Sequence, residues 1–308
     1  MTKTPWHRGE AKIHASLGMT DKLENLGRRM IRDFMPDQHR EFYSELEFVV
    51  LSALDETGRV WPFIWSGAAG FISSPSPKHL VIKRGALTGQ PEGLLLGTGD
   101  KISLLGIVPE TKRRNRLNAT IIEAGPDQIK IQTDQSYGNC PRYIHVRQKG
   151  EPRKAGAVEE RDVLNLDDKT LIAQADTIFI GSRALNIGDD PRAGIDVNHR
   201  GGLPGFVTVR DDGSIIVPDY PGNNFFNTFG NILDDPRTGI LIPNFETGDL
   251  LTLNGKAEVV LQDEAGLALY GSHRYLIFTP DKIRRANAAF PFVHAIAEYS
   301  SNPPVHAN

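Results

Sequence analysis

The sequence predicts a mainly β (α+β) chain built as two tandem antiparallel β-barrels with peripheral helices. Three observations predict it. Short apolar runs of strand length alternate with turn residues along most of the 308 positions, as in an antiparallel β protein. The series of runs occurs twice in the same order. Gly 30 and Pro 20 are counts that suit many strands and tight turns rather than a helical bundle.

Taken in order, residues 1–15 read as an extended lead. Leu23, Leu26, Met30, Ile31 and Phe34 then recur at three- and four-residue spacing behind Thr20, the pattern of a helix. Pro36 ends it, and Asp37 caps a second helix carrying Phe42, Tyr43 and Leu46. Strand signals follow. Phe48-Val-Val-Leu-Ser-Ala-Leu54, the turn Asp55-Glu-Thr-Gly58 and Val60-Trp-Pro-Phe-Ile-Trp65 form a hairpin in composition and spacing. His79–Lys83, Lys101–Ile107, Arg116–Ile122 and Gln128–Gln132 continue the series. The stretch from Arg147 to Asp168 is charged and strand-poor. From Leu171 the series restarts with a short helical lead, then Thr177–Ser182, Gly205–Arg210, Ser214–Pro218, Gly239–Ile242 and Leu250–Val260. Asp281 to Tyr299 reads as a helix, or a pair broken at Pro291. The expected organisation is therefore an N-terminal extension with helices (1–47), a first barrel unit (48–147) and a linker (148–170), then a second barrel unit (171–262) and a C-terminal helical segment (263–308).

The repeat can be written out. Gly99-Asp-Lys-Ile-Ser-Leu-Leu-Gly-Ile-Val-Pro-Glu-Thr111 lies over Asp235-Pro-Arg-Thr-Gly-Ile-Leu-Ile-Pro-Asn-Phe-Glu-Thr247 without a gap, and in the same register Leu117-Asn118 meets Leu253-Asn254. Upstream, Gly70-Phe71 matches Gly205-Phe206, and Ser52 is set against Ser182. Two copies of a strand-turn-strand unit can pair as two subunits would, and closure into barrels removes exposed edges. A ligand pocket is expected at their seam.

Several function classes fall away. A formal net charge of −3 gives no electrostatic reason for nucleic acid or an anionic membrane as partner. No apolar run suits a signal peptide or a membrane span, and the lone Cys140 excludes an intrachain disulfide. A cytoplasmic location is the expectation. The sequon at Asn118-Ala-Thr120 is read as chance. No hydrolase elbow, dinucleotide fingerprint or Cys/His grouping with metal-ligand spacing is present.

The densest polar constellation spans residues 196–237. Asp196-Val-Asn-His-Arg-Gly-Gly-Leu-Pro-Gly205 reads as a glycine loop carrying His199 and Arg200. Glycine backbone can approach a phosphate closely, and arginine offers it a bidentate contact. Asp219-Tyr-Pro-Gly-Asn-Asn-Phe-Phe-Asn-Thr-Phe-Gly-Asn231 mixes amides, a hydroxyl and aromatic rings, a set suited to the edge and face of a planar heterocycle. The same residue types also build plain turns. The basic run Lys112-Arg-Arg-Asn-Arg116 reads as a solvated hairpin face, and Cys140 as a small buried residue rather than a nucleophile.

Three segments, Asp196 to Phe206, Pro218 to Ile232 and Asp235 to Ile242, resemble the pyridoxamine 5'-phosphate oxidase-related, FMN-binding split-barrel family. Pro5–Glu10, Arg28–Asp33, Met35–Arg40 and Tyr137–Ile144 resemble its longer, two-barrel members. The resemblance implies two tandem antiparallel split β-barrels with peripheral helices. It also implies FMN at an interface and, as the family is normally dimeric, a homodimer. FAD, heme or a deazaflavin are the alternative cofactors. The implied activity is an oxidoreductase passing hydride between a reduced nicotinamide and a small acceptor; a non-catalytic flavin binder is the alternative. In the oxidase proper, adjacent basic residues grip the FMN phosphate; the corresponding positions here are Asn227 and Thr228. Cofactor contacts are therefore expected from Arg200, Gly201, Asn224, Asn227, Thr228 and Asn231, with His199 as the candidate catalytic group.

Overall fold

The computed structural model describes residues 4–84, 90–138, 140–152, 154–188, 190–290 and 292–300. Three helices lead: α1 (Arg8–Ser16), α2 (Thr20–Met30) and α3 (Asp37–Glu45). A seven-stranded antiparallel sheet follows, made of β1 (Phe48–Leu54), β2 (Val60–Ser66), β3 (Ile72–Ser76), β4 (His79–Lys83), β5 (Lys101–Val108), β6 (Arg113–Ala124) and β7 (Gln128–Gly138). Its order is β2-β1-β5-β6-β7-β4-β3. Next come β8 (Val146–Pro152), β9 (Val158–Arg161) and α4 (Leu166–Gln174). The second half contains β10 (Thr177–Arg183), β11 (Ile195–Gly201), β12 (Thr208–Val209), β13 (Ile215–Pro218), α5 (Asn227–Asp234), β14 (Arg237–Pro243), β15 (Leu250–Val260), α6 (Glu264–Tyr270), β16 (Tyr275–Ala286) and β17 (Phe292–Glu298). Its sheet runs β11-β10-β14-β15-β16-β13-β12, with β9 added to β16, while β17 pairs with β8.

The two sheet orders are the same strand for strand, so the chain is two tandem split barrels. Finer features repeat as well. A bulge at Asp134 interrupts β7 opposite Asn118 and Ala119, and the equivalent bulge at Asp281 interrupts β16 opposite Asn254 and Gly255. Such bulges set local twist and strand direction, so a shared position marks a shared barrel shape. Gly70 and Gly205 take the left-handed backbone at φ +86° and +91°, a conformation that side chains resist. Three residues before each, a Cβ on Gly67 would stand 2.7 Å from Phe71, and one on Gly202 would stand 2.5 Å from Phe206. Both turns therefore close by packing a phenylalanine onto a bare glycine.

One sequence anchor shifts by a residue. Ser52 pairs with Ser103, and Gly181 pairs with Gly239. With Ser103 equivalent to Gly239, the counterpart of Ser52 is Gly181, not Ser182.

Strand alternation sends side chains to two places. Val49, Leu51, Phe63 and Trp65 fill the first barrel, and Ile178, Ile180, Ile240 and Phe278 fill the second. The opposite faces meet between the barrels, where Val50, Ile64 and Leu105 pack with Phe179, Val197 and Leu241. Strand β11 lies against β5, and β2 lies against β14.

Three expected regions differ. The lead is helical from Arg8, started by a reciprocal cap between His7 and Glu10. Its buried face is Gly9, Glu10, Ile13 and His14, which leaves almost no apolar periodicity to read. The expected C-terminal helical segment is mainly strand: its charged residues sit in β16, which pairs along its length with β15 and with β9. The expected linker also contributes strands, since β8 and β9 pair with β17 and β16, so the second barrel reaches well past 262. Residues 1–3, Asn139, Pro291 and 301–308 lie outside the described residues. No described helix is long and apolar enough to cross a membrane.

Candidate functional site

A cleft opens at the seam of the two barrels. The first barrel contributes Arg114 from β6 and Cys140, Arg142 and Tyr143 from the segment after β7. The second contributes Asn198 to Gly201 from β11, Pro218 from the end of β13, and Tyr220, Gly222 and Asn223 from the following loop. Its open space is about 620 Å³ with the mouth included. A second lobe shares Asn198, Arg200, Tyr220, Gly222 and Asn223 and adds Asp219, Asn224, Phe226, Asn227 and Thr228.

The cleft is cationic. Among its described lining residues the charged ones are Arg114, Arg142 and Arg200, while the carboxylate of Asp219 belongs to the second lobe. Arg200 lies 3.0 Å from Asp219, whose other oxygen is 3.1 Å from Arg274. Arg114 makes no ion pair among the described residues. One of its terminal nitrogens donates to the Cys140 carbonyl at 2.5 Å, and its Nε is sealed from solvent without a hydrogen-bond partner. Burial, with Arg200 and Arg116 nearby, pulls its guanidinium down to about 10. A half-buried cation without a paired carboxylate and a sealed donor lacking its acceptor are both costly, and an incoming oxyanion would relieve both.

His199 and Arg200 sit on strand β11, not in a glycine loop. His199 is buried, with its ring edge-on to Phe179 at 5.7 Å. Burial and the surrounding Arg114, His145, Arg200 and Arg147 hold its pKa well below the usual histidine range, so it meets the cleft as a neutral imidazole. Gly201 closes the strand where a Cβ would stand 2.1 Å from the Tyr143 carbonyl oxygen. Tyr143 is in the left-handed region at φ +64° and donates its hydroxyl to the Pro221 carbonyl at 2.9 Å. Its ring and that of Tyr220 lie 5.7 Å apart.

The asparagine cluster divides. Asn224, at φ +59°, lines the second lobe in its loop. Asn227, Thr228 and Asn231 belong to helix α5. Thr228 accepts from Asn198 at 2.8 Å at the edge of that lobe. Asn227 donates to Glu10 and accepts from Tyr137 at 3.2 Å and Arg116 at 3.3 Å. Asn231 donates to Ser182 at 3.0 Å and Asp196 at 2.7 Å and does not line the cleft. The six expected cofactor contacts are thus split between the cleft wall and a buried polar layer behind it.

That layer was not legible beforehand. Arg116, expected on a solvated face, is fully buried, paired with Asp196 and donating to Asn198 at 2.6 Å. Asn118 donates to Asp196 at 2.6 Å, which consumes the apparent sequon. Glu10, from α1, accepts from Asn227 and from the His7 backbone at 2.9 Å. Burial raises its carboxyl to about 7 despite these bonds and the nearby Arg116. The missed lining residues, Arg114, Arg142, Tyr143 and Cys140, come from the other half of the chain. Cys140, Arg142 and Tyr143 lie in the Tyr137–Ile144 segment that resembles the two-barrel members, and Arg114 in the basic run read as a solvated face.

A larger hollow beside β5, with about 1310 Å³ of open space, is lined by Lys101, Asp134, Thr120 and Ile187. Its cation is already neutralised, Lys101 lying 3.0 Å from Asp134, and it holds no aromatic ring. The seam cleft is the better candidate for an anionic planar ligand.

No family model and no curated protein matches the chain. Among solved structures, it is similar to a single-residue variant of HupZ from Group A Streptococcus at 14% identity and TM-score 0.32, over 40% of this chain and 99% of that one. A FAD-binding protein from Mesorhizobium loti matches at 14% identity and TM-score 0.28, over 42% and 99% respectively. The FAD-binding protein of Mycobacterium smegmatis matches at 12% and 0.28, over 41% and 98%. The chain is thus similar, about two fifths of its length at a time, to split-barrel proteins of the pyridoxamine 5'-phosphate oxidase-like type.

Proposed function

We propose that the chain is an FMN-binding flavoprotein that holds the cofactor in the seam cleft. The observation that carries this reading is Arg114. Its guanidinium is half-buried, with no ion-pair partner among the described residues and an Nε sealed from solvent without a hydrogen-bond partner, and it lines the cleft together with Arg200, Arg142, Tyr143 and Tyr220. Charge-assisted hydrogen bonds to a phosphate are among the strong ones, and tyrosine faces suit a flat ring. In this reading Arg114 and Arg200 take the phosphate, while Asn223, Asn224 and Thr228 offer neutral hydrogen bonds at the second lobe. The neutral His199 supplies no charge to the phosphate; it offers a single ring N–H or a lone pair. A bound flavin would supply the redox chemistry, accepting hydride from a reduced nicotinamide and passing it to a small acceptor. The protein's part is placement, exclusion of water by the packed seam, and positive potential.

The resemblance of residues 196–242 to an FMN-binding family supports the same reading. Titration of the purified chain with FMN, followed by quenching of flavin fluorescence, tests it. Saturable quenching that Arg114→Ala and Arg200→Ala each weaken is expected. Bleaching of the bound flavin by NADH or NADPH is expected of the oxidoreductase. A flavin inert to both nicotinamides would leave a binder without that activity, and heme or deazaflavin uptake in preference to FMN would overturn the cofactor assignment.

A further inference from the structure

Because the chain is duplicated, every position at the seam has a counterpart in the other unit, and the strand pairings fix which. Val50 pairs with Leu105 and Ile64, as Phe179 pairs with Leu241 and His199. In this register Asp196-Val-Asn-His-Arg200 on β11 corresponds to Trp61-Pro-Phe-Ile-Trp65 on β2. Arg114, which pairs with Ile107, corresponds to Leu250, which pairs with Pro243.

The two strand faces are opposite in chemistry. The β11 face presents Asn198, His199 and Arg200 to an open cleft. On β2, Ile64 (4% exposed) points to the seam while Phe63 (1%) and Trp65 (0%) point into the first barrel. Ile64 and Leu250 pack together with Phe48 and Phe290 in the apolar layer between the barrels, and Trp65 is spent in the first barrel's own core. Space that is open on one side of the internal pseudo-symmetry is filled on the other. The hollow at the start of β1 and the end of β5 carries Glu45, Glu47 and Glu110, with Lys149 as its cation, and Lys149 is itself paired to Glu47 at 2.5 Å. Its charge repels a phosphate.

We infer that the chain holds one phosphorylated ligand, not two: only the β11 half of the seam is a binding face, and the β2 half is a packed structural replica. This rests on the flavin reading above for the identity of the ligand. The division of labour explains why the polar residues cluster in the second unit while Arg114, Arg142 and Tyr143 come from the first. The duplicated chain builds one composite site from both of its units.

The test is binding stoichiometry of the full chain with FMN, by equilibrium dialysis at saturating ligand, for wild type and Arg200→Ala and Arg114→Ala. The expected result is one FMN per chain. Each variant should weaken that single class about 10-fold or more, with no second class surviving. Two FMN per chain, or one whose affinity neither variant alters, overturns the inference while flavin binding stands. No uptake of FMN by wild type overturns the flavin reading and this inference together.

Discussion

Gly9 and Gly230 meet backbone to backbone where α1 crosses α5. A Cβ on Gly9 would stand 1.9 Å from the Gly230 carbonyl oxygen, and one on Gly230 would stand 2.6 Å from the Glu10 nitrogen. This contact lets the N-terminal helix lie close enough for Glu10 to reach Asn227. Around it, Trp6 packs edge-on to Phe225 at 5.1 Å, and the His14 ring nitrogen lies 3.0 Å from the Phe225 carbonyl. The helix is a strap over the back of the candidate site. Gly230→Ala is expected to destabilise the protein by about 1–3 kcal/mol through overpacking against backbone, read as a lowered urea midpoint with an unchanged slope.

Glu10 gives the fold a pH dependence. Its carboxyl is raised from the ordinary 4.5 to about 7 by burial, so the native state holds a proton that the unfolded chain releases. Its contribution is fully present below pH 4.5, declines as pH rises toward 7, and is lost above that, with an amplitude on the order of 3 kcal/mol. His7, lowered to about 4 chiefly by burial, acts in the opposite direction: its contribution is present above pH 6.5 and is lost as pH falls toward 4. Denaturation of wild type and Glu10→Gln across pH 4.5–7.5 separates them. The stability difference between the two is expected to shift steadily in favour of Glu10→Gln as pH rises, and to level off above 7.

Arg116 and Asp196 form a buried pair across the barrel seam, at 1% and 6% side-chain exposure. Removing one member strands the other in a water-poor layer. Arg116→Met is expected to cost about 3–5 kcal/mol, measured by chemical denaturation, and to loosen Asn198 and Asn227, which it holds.

Arg114→Met separates stability from binding. The guanidinium stands near Arg116 and Arg200 with no carboxylate paired to it among the described residues, so its removal relieves repulsion and desolvation cost in the ligand-free protein. Unfolding of the apo variant should need at least as much denaturant as wild type, while FMN affinity falls about 10-fold or more, the loss of one charged hydrogen bond.

The barrels were readable because their information is local. Period-two apolar runs and turn glycines wrote out β1 and β2, and Glu110-Thr111 over Glu246-Thr247 fixed the register of β5 on β14 and of β6 on β15. Ser52 failed as an anchor because a serine at a strand end is common enough to align one residue off. Helix α1 escapes the pattern because its buried face is Gly9, Glu10, Ile13 and His14, with Ile13 its only apolar side chain in the core and the rest held by contacts to α5. Charged β16 was misread as helix because its hydrogen-bond partners, β15 and β9, are distant in sequence. At the site, Arg200 and His199 were visible as unusual residues near glycines. The pairing of Arg114 and Tyr143 with them is a property of the seam, which no linear pattern encodes.

The position of a bound phosphorylated flavin decides between the seam cleft and every other hollow. A crystal structure of the chain grown with FMN should show one cofactor per chain, its phosphate within hydrogen-bond distance of the guanidinium groups of Arg114 and Arg200. Density for FMN against β2, or in the hollow beside Lys101 with the β11 cleft left empty, would contradict it.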